Sequence, residues 1–426
     1  MEKNLDFFFN KKILVYGLGK SGLSAYKFLE KNNDVFLYDD FQRKQKNLKS
    51  YKFILKKKFD YIIISPGIDI NKCKLSKFLK KNFKKIYTDL DVFYSNYKNN
   101  CITITGTNGK STTCQLLYEI LLKQKYDVRL VGNIGNPILS TKKINPKTIF
   151  VIEASSYQLE YSKIFKSRYA AILNITPDHI ERHKTLRRYV KAKFKLLKNQ
   201  TKNYLGFIKK NDLLIQKELK VNKLSCKIIK VNTLKANKII KELDNEYFST
   251  EANKENLSFA LSILEKFKLK KNLLIKTINT FKGLKYRQQI IYKKSYMTIF
   301  NDSKSTSFSS SLGILKSNPN IYWLLGGMHK KGDKFDLPRK YYPKIKAFIF
   351  GKNRGYFNNQ LQGKVYLENF DNLKDAFKKV LHLTKKEKFI KKTILFSPSA
   401  ASFDNFKNFE DRGFYFNKLV KKYLNV

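Results

Sequence analysis

Two glycine-rich segments each stand between an apolar run and a stretch with helical periodicity. The first is GLGKSG at residues 17–22, which follows ILVY, and the second is GTNGK at residues 106–110, which follows CITIT. A strand, a glycine-rich turn and a helix in this order form the start of a βαβ unit, and such units build parallel sheets. The sequence therefore predicts an α/β fold.

The alternation of strand and helix begins three times along the 426 residues. It begins at ILVY, with VFLY and YIIISPGI after it; at CITIT, with YDVRLVG and TIFVIEASS; and at YMTIFNDS, with IYWLLGG, IKAFIFG and KTILFSPS. We predict three consecutive domains, 1–95, 96–283 and 284–426. Each is expected to have a mostly parallel sheet with helices on its faces.

The formal net charge of +53 raises the question of a nucleic-acid partner, because basic proteins gain affinity by displacing counterions from phosphates. Nucleic-acid readers favour arginine, whose planar fork suits phosphates and guanine edges. Here lysine greatly outnumbers arginine, the lysines are spread over every segment, and Asn, Ile, Phe and Tyr are abundant. We interpret the charge as solvated surface in a sequence with A+T-rich codons and expect no specific nucleic-acid partner.

No segment predicts a membrane or secretory role. No run approaches the roughly 18 apolar residues of a spanning helix, and MEKNLDFFFNKK lacks the apolar stretch of a signal peptide. Cys73, Cys101, Cys114 and Cys226 form no C-x-x-C pair, which disfavours a disulfide framework and a zinc site. We expect a cytoplasmic protein, not bound to a membrane, and a monomer.

The GLGKSG segment matches the G-x-G-x-x-G pattern, and Asp39 follows its first glycine by about 20 residues. This spacing is typical of a dinucleotide site, in which the acid binds a ribose hydroxyl. The backbone N–H groups at a helix N-terminus favour an anion of any kind, however. The residues alone therefore leave three interpretations open: NAD, another phosphorylated ligand, or a purely structural turn.

The GTNGKST segment predicts a phosphate-binding loop with a variant spacing, since only two residues separate Gly106 from Gly109. The glycines allow backbone amides to point at phosphate oxygens, and Lys110 can reach between the β- and γ-phosphates. Ser111 and Thr112 place hydroxyls where Mg²⁺ would bind. A plain turn is the alternative, but strand, loop, Lys-Ser-Thr and helix all occur in the required order.

Six segments in fixed order carry a resemblance to a known family. They are TGTNGKSTT, GNIGNP, EASSYQLE, NITPDHIERH, NDSKSTS and FSPSAASFDNFKNFEDRGFYF. Together they resemble the Mur ligases, and the last segment and GLGKSG are similar to the branch that adds D-glutamate. The resemblance covers residues 17 to 416. It implies Rossmann-like N- and C-terminal domains and a central domain like those of P-loop ATPases.

The resemblance implies an ATP-dependent carboxylate–amine ligase that forms ADP and acts in peptidoglycan precursor synthesis, and through it in cell shape and division. ATP phosphorylates the carboxylate of UDP-N-acetylmuramoyl-L-alanine, and the amine of D-glutamate then displaces phosphate. A carboxylate is a poor electrophile because its leaving group would be oxide, and phosphorylation replaces oxide with phosphate. The site must hold two anions close together, which requires cations and alignment.

Site residues also follow from the resemblance. Glu153, His179, Ser111 and a carbamylated Lys193 would hold two Mg²⁺ ions, and Lys110 would act with them in catalysis. The expected ATP contacts are Gly106, Thr107, Asn108, Gly109, Lys110, Ser111, Thr112, Asn253, Asn256, Arg287, Asp302 and Lys304. The expected contacts of the UDP substrate are Lys20, Ser21, Asp39, Ser65, Pro66, Gly67 and Asn133. The expected D-glutamate contacts are Thr306, Lys330, Ser402 and Phe409.

Several alternatives accompany these assignments. His179 and His183 are spaced i, i+4, but zinc needs further ligands nearby, so His183 is interpreted as a surface residue. Lys191 and Lys195 flank Lys193, and Lys331 follows Lys330 in the variant segment GGMHKKGDKF.

Three other functional classes are weaker. A folylpolyglutamate synthase would lack residues 1–95, a nucleic-acid-binding ATPase would need a concentrated basic face, and a dehydrogenase has no use for TGTNGKSTT. Tyr286, Ser307 and Ala252 depart from the family pattern, which affects fine nucleotide contacts but not the reaction class.

Overall fold

The computed structural model of the chain describes residues 7–42, 45, 47–294, 296–330, 332–386 and 390–425. Within these residues the chain forms three sheets, of four, six and six strands. None of the helices in the described ranges has the length and apolar character needed to span a bilayer.

The first sheet is parallel throughout. Its strands are β1 (Lys12–Tyr16), β2 (Asp34–Tyr38), β3 (Tyr61–Ile64) and β4 (Ile86–Tyr87). Its helices are α1 (Lys20–Leu29), α2 (Tyr51–Lys56), α3 (Ser76–Lys81) and α4 (Asp89–Asn96), with a 3₁₀ turn at Phe83–Lys85. The strand order is β2-β1-β3-β4, so the chain crosses back over β1 between β2 and β3. The loop between β1 and α1 therefore opens at the point where the strand order reverses, which is the usual ligand position in such sheets.

The second sheet is also parallel. Its strands are β5 (Cys101–Thr105), β6 (Val128–Gly132), β7 (Ile149–Glu153), β8 (Tyr169–Ile172), β9 (Leu205–Lys209) and β10 (Lys227–Val231). The helices that accompany it are α5 (Lys110–Lys123), α6 (Ser156–Tyr161), α7 (Ile180–His183), α8 (Leu186–Lys198), α9 (Leu213–Val221), α10 (Leu234–Ile240), α11 (Glu251–Leu264) and α12 (Lys271–Thr280). Short 3₁₀ turns lie at Ile138–Ser140 and Glu246–Ser249. The order is β10-β9-β8-β5-β7-β6, which places β5 and its glycine loop beside β7 and β8.

The third sheet is parallel apart from one edge strand. Its strands are β11 (Gln289–Lys294), β12 (Met297–Asn301), β13 (Ile321–Gly326), β14 (Ile345–Phe350), β15 (Tyr366–Phe370) and β16 (Lys392–Phe396). Its helices are α13 (Phe308–Ser317), α14 (Arg354–Leu361), α15 (Leu373–Lys386) and α16 (Phe409–Leu424), with a 3₁₀ turn at Arg339–Lys344. The order is β11-β12-β16-β13-β14-β15, and β11 pairs antiparallel with β12. The carboxyl ends of β12, β13 and β16 consequently meet at one edge.

Apolar side chains cover both faces of the parallel strands, as expected for sheets packed between helices. In the third sheet, Tyr322 and Leu324 contribute to one core, while Trp323 and Leu325 of the same strand contribute to the core on the other face. The chain forms two compact units. The first contains the first and second sheets, and the second contains the third sheet with the segments Thr176–Ile180 and Ile239–Glu255.

A buried carboxylate joins the first two sheets inside the first unit. Asp91 on α4 is fully buried, and its Oδ1 accepts a hydrogen bond from the Ser162 hydroxyl at 3.0 Å. The same oxygen accepts from the backbone N–H groups of Lys163, Ile164 and Phe165 at 2.8–3.1 Å. A carboxylate that is removed from water in this way is stable only when its lone pairs are satisfied. Asp91 therefore fixes the segment after α6 against α4.

Candidate active site

The phosphate-binding loop follows β5 and leads directly into α5. Gly106 and Gly109 have φ values of +153° and +83°, which other residue types rarely adopt. A Cβ at Gly109 would lie 2.2 Å from Oδ1 of Asn256, a predicted ATP contact. Gly109 is the N-cap of α5, so the first helical residue is Lys110. The loop therefore has the strand–turn–helix geometry that the sequence predicts, and the N-terminus of a helix favours an anion.

Two residues outside the loop hold its shape. The Thr107 N–H donates to the Asn174 carbonyl at 2.9 Å, and the Asn108 N–H donates to Oδ1 of Asn174, also at 2.9 Å. The Thr107 hydroxyl lies 3.0 Å from the Tyr189 hydroxyl on α8. Because these contacts fix the loop before α5, little backbone reorganisation is needed when a ligand binds at the start of that helix.

Two lysines donate to the same loop carbonyl. Lys110 Nζ lies 2.8 Å from the Gly106 oxygen and 2.7 Å from the Thr107 oxygen. Lys193 Nζ reaches the Gly106 oxygen from α8, at 2.7 Å. The structure thus brings together the predicted phosphate-binding lysine and the predicted metal-binding lysine, which lie 83 positions apart in the sequence.

Burial separates Lys193 from its neighbours on α8. Lys193 is 1% exposed, and its Nζ lies 4.6 Å from the centroid of the Tyr189 ring. Lys191 is exposed. Lys195 is partly buried, and burial lowers its pKa, but its Nζ donates to the Glu160 carbonyl and not to the loop. Among these three lysines, Lys193 is the one whose amine contacts the phosphate-binding loop.

Glu153 ends β7 beside the start of α5. It is 1% exposed, Oε2 accepts from the Ser111 hydroxyl at 2.5 Å, and Oε1 accepts from Nδ2 of Asn133 at 2.8 Å. Gly132, at φ +103°, permits this approach, because a Cβ there would lie 2.4 Å from the Glu153 carbonyl. A carboxylate and a hydroxyl at this distance form an oxygen-rich pair of the kind that Mg²⁺ prefers.

His179 lies in the second unit, in the segment before α7. It has φ +53°, and its Nε2 is 3.3 Å from Oδ2 of Asp178. Oδ1 of Asp178 accepts from Lys330 Nζ at 2.8 Å. The sequence did not single out Asp178, although it stands next to His179 in NITPDHIERH. Lys331, the alternative to Lys330, lies outside the described residues.

The prediction that His183 is a surface residue is wrong. His183 is 1% exposed, and its Nε2 lies 2.9 Å from the Ser156 hydroxyl on α6. The rings of Tyr157 and Tyr189 lie near its ring, at centroid distances of 5.6 and 5.3 Å. The surface prediction took no account of packing between helices. Because α7 begins at Ile180, His179 lies before the helix and His183 within it.

The GLGKSG loop is tightly built. A Cβ at Gly22 would lie 1.8 Å from the Gly17 carbonyl, and the Ser65 hydroxyl donates to that carbonyl at 2.6 Å. The Asp39 carboxylate accepts from the N–H of Leu18 at 2.7 Å and from two N–H groups in its own turn. Of the predicted substrate contacts that follow β3, Ser65 touches this loop, and Pro66 and Gly67 come next along the chain. Lys20 is exposed at the start of α1.

The predicted D-glutamate and ATP contacts of the third sheet gather after β12 and β16. Lys304 Nζ lies 4.0 Å from the centroid of the Phe409 ring, and the Ser303 hydroxyl donates to the Phe409 carbonyl at 2.9 Å. Thr306 is half-buried and Ser402 is buried. Of the other predicted nucleotide contacts, Thr112 is buried in α5, Asn253 donates to the Tyr247 carbonyl at 2.7 Å, and Arg287 lies just before β11.

Burial raises the pKa of Asp302 to about 7. The Ser397 hydroxyl and the Gln288 N–H, at 2.9 and 3.1 Å, oppose this effect by stabilising the carboxylate, as do the charges of Arg287 and Arg412. Because the folded pKa lies above that of a free aspartate, the folded state binds the proton more tightly than the unfolded chain. The contribution of Asp302 to stability is therefore lost as the pH rises through about 7.

We expect Asp302→Asn to stabilise the protein at pH 8 by about 1–3 kcal/mol, because it removes a buried charge. The advantage should shrink as the pH falls below 7 and vanish near pH 4, where the parent carboxyl is protonated in the folded and the unfolded state alike. Denaturant unfolding at both pH values measures the difference, with the exposed Asp336→Asn as the control. An equal stability difference at both pH values would contradict this account.

A resident metal cluster is not evident in the protein alone. Within the described ranges, no three His, Cys, Asp or Glu side chains come together as a metal-binding group. The Ser111–Glu153 pair supplies suitable oxygens but requires further ligands from elsewhere.

Sequence reasoning also missed Arg412 and Asn174. Both stand in segments that carry the family resemblance, but only tertiary contacts reveal their roles. Asn174 orders the phosphate-binding loop, and Arg412, 1% exposed, donates to the carbonyls of Ser303 and Ala400 at 2.8 and 2.9 Å.

Known proteins match the chain along nearly its whole length. Residues 104–276 match the Mur ligase middle domain. A UDP-N-acetylmuramoylalanine–D-glutamate ligase from Rickettsia felis is 32% identical, over 97% of this chain and 97% of the relative. One from Rickettsia prowazekii is 32% identical, over 97% and 98%. The solved MurF ligase from Thermotoga maritima, in complex with ADP, has a TM-score of 0.57 at 14% identity, covers 99% of this chain and 100% of that one, and shows the same fold. The chain therefore belongs to the Mur ligase family.

Proposed function

We propose that this protein joins D-glutamate to UDP-N-acetylmuramoyl-L-alanine at the expense of ATP, in peptidoglycan precursor synthesis. The observation that carries the proposal is the phosphate-binding loop with Lys110 and the Ser111–Glu153 pair. The near-complete coverage of relatives named for this reaction supports the choice of substrates. The three sheets are assigned to domains 1–95, 96–283 and 284–426, for the UDP substrate, ATP and the amino acid respectively.

The loop residues perform the first half of the reaction. The N–H groups at the start of α5 and the Lys110 ammonium bind the ATP phosphates and align the γ-phosphoryl group with the substrate carboxylate. The carboxylate oxygen attacks phosphorus, ADP leaves, and an acyl phosphate forms. Lys110 offsets the repulsion between the two anions, which is greatest where they meet.

The second half requires the amine of the amino acid to reach the acyl phosphate. A C–N bond forms, the bond between carbon and the phosphate oxygen breaks, phosphate leaves with the electron pair, and the nitrogen loses a proton to solvent. We assign Thr306, Lys330, Ser402 and Phe409 to D-glutamate, whose two carboxylates need cationic and hydroxyl partners. Arg287, Asp302, Lys304, Asn253 and Asn256 are assigned to ATP, together with the loop.

Magnesium fits the oxygen donors at the start of α5. Ser111 and Glu153 would hold it there, with a carbamylated Lys193 and His179 as further ligands. The metal would neutralise charge that develops on the transferring phosphoryl group. Asn133 donates to Glu153 and is assigned to the UDP substrate, so it would connect that substrate to the metal-holding carboxylate.

The decisive assay is phosphate release from ATP in the presence of each substrate alone and of both together. We expect release at the full rate only with both UDP-N-acetylmuramoyl-L-alanine and D-glutamate. Equal release without either substrate would contradict the proposal. Because ATP and a UDP-linked substrate are consumed, we place the reaction in the cytoplasm. We also propose that the protein acts as a monomer and without a nucleic-acid partner.

The GLGKSG loop is assigned to the UDP portion of the substrate, with Lys20, Ser21, Asp39, Ser65, Pro66, Gly67 and Asn133 as contacts. The Asp39 carboxylate already accepts three backbone N–H groups. This engagement disfavours the role of the acid in a dinucleotide site, which is to bind ribose hydroxyls.

We therefore expect uridine diphosphate to compete with the UDP substrate, and NAD to leave the rate unchanged. Isothermal titration measures binding of both nucleotides. Saturable NAD binding that uridine diphosphate displaces would overturn the assignment of this loop.

A further inference from the structure

A buried serine ties together the two loops that carry the assigned amino-acid contacts. Ser311 lies on α13 and is fully buried. Its hydroxyl is 2.8 Å from the Ser305 hydroxyl, in the loop after β12. It is also 2.7 Å from the hydroxyls of Ser397 and Ser399, in the loop after β16. All four serines are at most 2% exposed, so water does not compete for these bonds.

The three hydrogen bonds of the Ser311 hydroxyl use all of its donor and acceptor positions. A serine hydroxyl donates one hydrogen bond and accepts two. Ser397 donates to Oδ2 of Asp302 at 2.9 Å, so Ser397 must accept from Ser311 when that carboxylate is ionised. Ser311 then accepts from Ser305 and Ser399. The hydroxyls form one directed chain that ends at Asp302, which is expected to strengthen each member. Ser305 and Ser399 have only longer contacts besides Ser311, at 3.4 and 3.5 Å from the carbonyls of Ser307 and Ser397.

The guanidinium group of Arg412 provides a second link between the loops after β12 and β16. Arg412 on α16 donates to the Ser303 carbonyl after β12 and to the Ala400 carbonyl after β16. The joined loops contain Thr306 and Ser402, and α16 begins at Phe409. Three of the four residues assigned to D-glutamate therefore belong to the elements that Ser311 and Arg412 hold.

The loop after β16 contains a strained residue at this junction. Ser399 has φ +54° and is 1% exposed. A left-handed conformation in a buried residue other than glycine persists only where its surroundings impose it, and such residues cluster at functional sites. The bond to Ser311 is one of the contacts that impose it.

We propose that Ser311 is a positioning residue that holds the loops after β12 and β16 in the arrangement that orients the incoming amino acid. The inference rests on the proposed function. It assigns to Ser311 its main effect on the second half of the reaction, because the phosphoryl transfer from ATP is aligned by the loop before α5. Asp302 and Lys304, in the loop after β12, are assigned to nucleotide binding.

Hydroxylamine separates the two halves experimentally. It is a small nucleophile that attacks an acyl phosphate directly: a C–N bond forms, phosphate leaves, and nitrogen loses a proton to solvent. It has no carboxylates for Thr306 or Ser402 to recognise. Hydroxamate formation therefore reports carboxylate activation, while ligation of D-glutamate reports activation and amino-acid orientation together.

In Ser311→Ala we expect kcat/KM for D-glutamate to fall by about 10- to 100-fold, as for a misplaced substrate. Hydroxamate formation at saturating ATP should stay within about threefold of the parent value, because saturation masks any change at Asp302 and Lys304, the assigned ATP contacts in the loop after β12. Ser317→Ala, which removes an exposed serine of the same helix that bonds only its own helix backbone at Gly313, is the matched control and should change neither.

Ser399→Ala removes one arm of the chain and provides a second variant should Ser311→Ala not fold, with the same selective loss expected. Equal losses of ligation and hydroxamate formation, in whichever variant folds, would overturn the positioning role, and so would ligation at the parent rate. A parent enzyme that forms neither product would remove the proposed function, and this inference with it.

Discussion

Replacement of Lys110 by alanine is expected to reduce ligation by about 10³-fold, because the variant loses the charge that aligns the γ-phosphoryl group. In the structure the Lys110 ammonium is held over the loop by the carbonyls of Gly106 and Thr107. Those carbonyls keep the amine at the mouth of the loop, where phosphate oxygens can replace them as acceptors. Phosphate release dependent on both substrates measures the effect.

Lys123→Ala is the matched control, because Lys123 is an exposed lysine at the end of the same helix. It should retain the parent rate, since surface charges this far along α5 are screened by solvent. Ligation by Lys110→Ala within about tenfold of the parent would mean that the loop does not align the phosphates as we propose.

The apolar runs predicted the three sheets because buried parallel strands are continuously hydrophobic. The runs at β1, β5, β7, β12 and β13 all form strands where the sequence placed them. Strands with mixed composition escaped this signal. LGFIK, KIIKV and YLENF form β9, β10 and β15, which lie at or near sheet edges where polar residues are tolerated. Their existence depends on pairing with neighbours that are distant in sequence.

The parts of the candidate site that lie within one continuous motif were predictable, since the strand, glycine turn and helix are local. Contacts between motifs were not. Lys193 was identified only through the family resemblance. In the structure, Lys193 differs from Lys191 because it is buried and its amine donates to the Gly106 carbonyl. The burial of His183 and the ties made by Arg412 and Ser311 depend on how helices pack, which periodicity does not reveal. The net charge of +53 also does not predict that Lys193 is buried at the phosphate-binding loop.

Lys193→Ala is expected to be nearly inactive and to recover part of its activity in acetate. The Lys193 and Lys110 amines donate to the same Gly106 oxygen, so two ammonium groups would lie near each other at a site that also needs dications. Like charges at short range in a buried site cost energy. Carbamylation of Lys193 would remove this repulsion and supply anionic oxygens. It requires a neutral amine, which burial of a lysine favours.

Acetate should act in Lys193→Ala by filling the space of the lost side chain with a carboxylate. The rescue should saturate as the acetate concentration rises. Formate and acetate should be more effective than larger acids, because Lys193 is only 1% exposed and its replacement leaves a small, enclosed space. Steady-state rates in acetate, with chloride at the same ionic strength as the comparison, measure the effect. Mass analysis of the intact parent in bicarbonate tests for the added CO₂ itself.

Lys191 and Lys195 provide controls on the same helix. Lys191→Ala removes an exposed side chain and should be close to neutral. Lys195→Ala removes a partly buried amine whose pKa is lowered by burial and which donates to the Glu160 carbonyl, so it should affect stability more than turnover. Neither variant should respond to acetate, because neither amine contacts the phosphate-binding loop. If acetate restored Lys195→Ala and not Lys193→Ala, the metal-binding lysine would be two residues further along α8. If none of the three variants lost activity, the second metal ligand would have to come from another part of the chain.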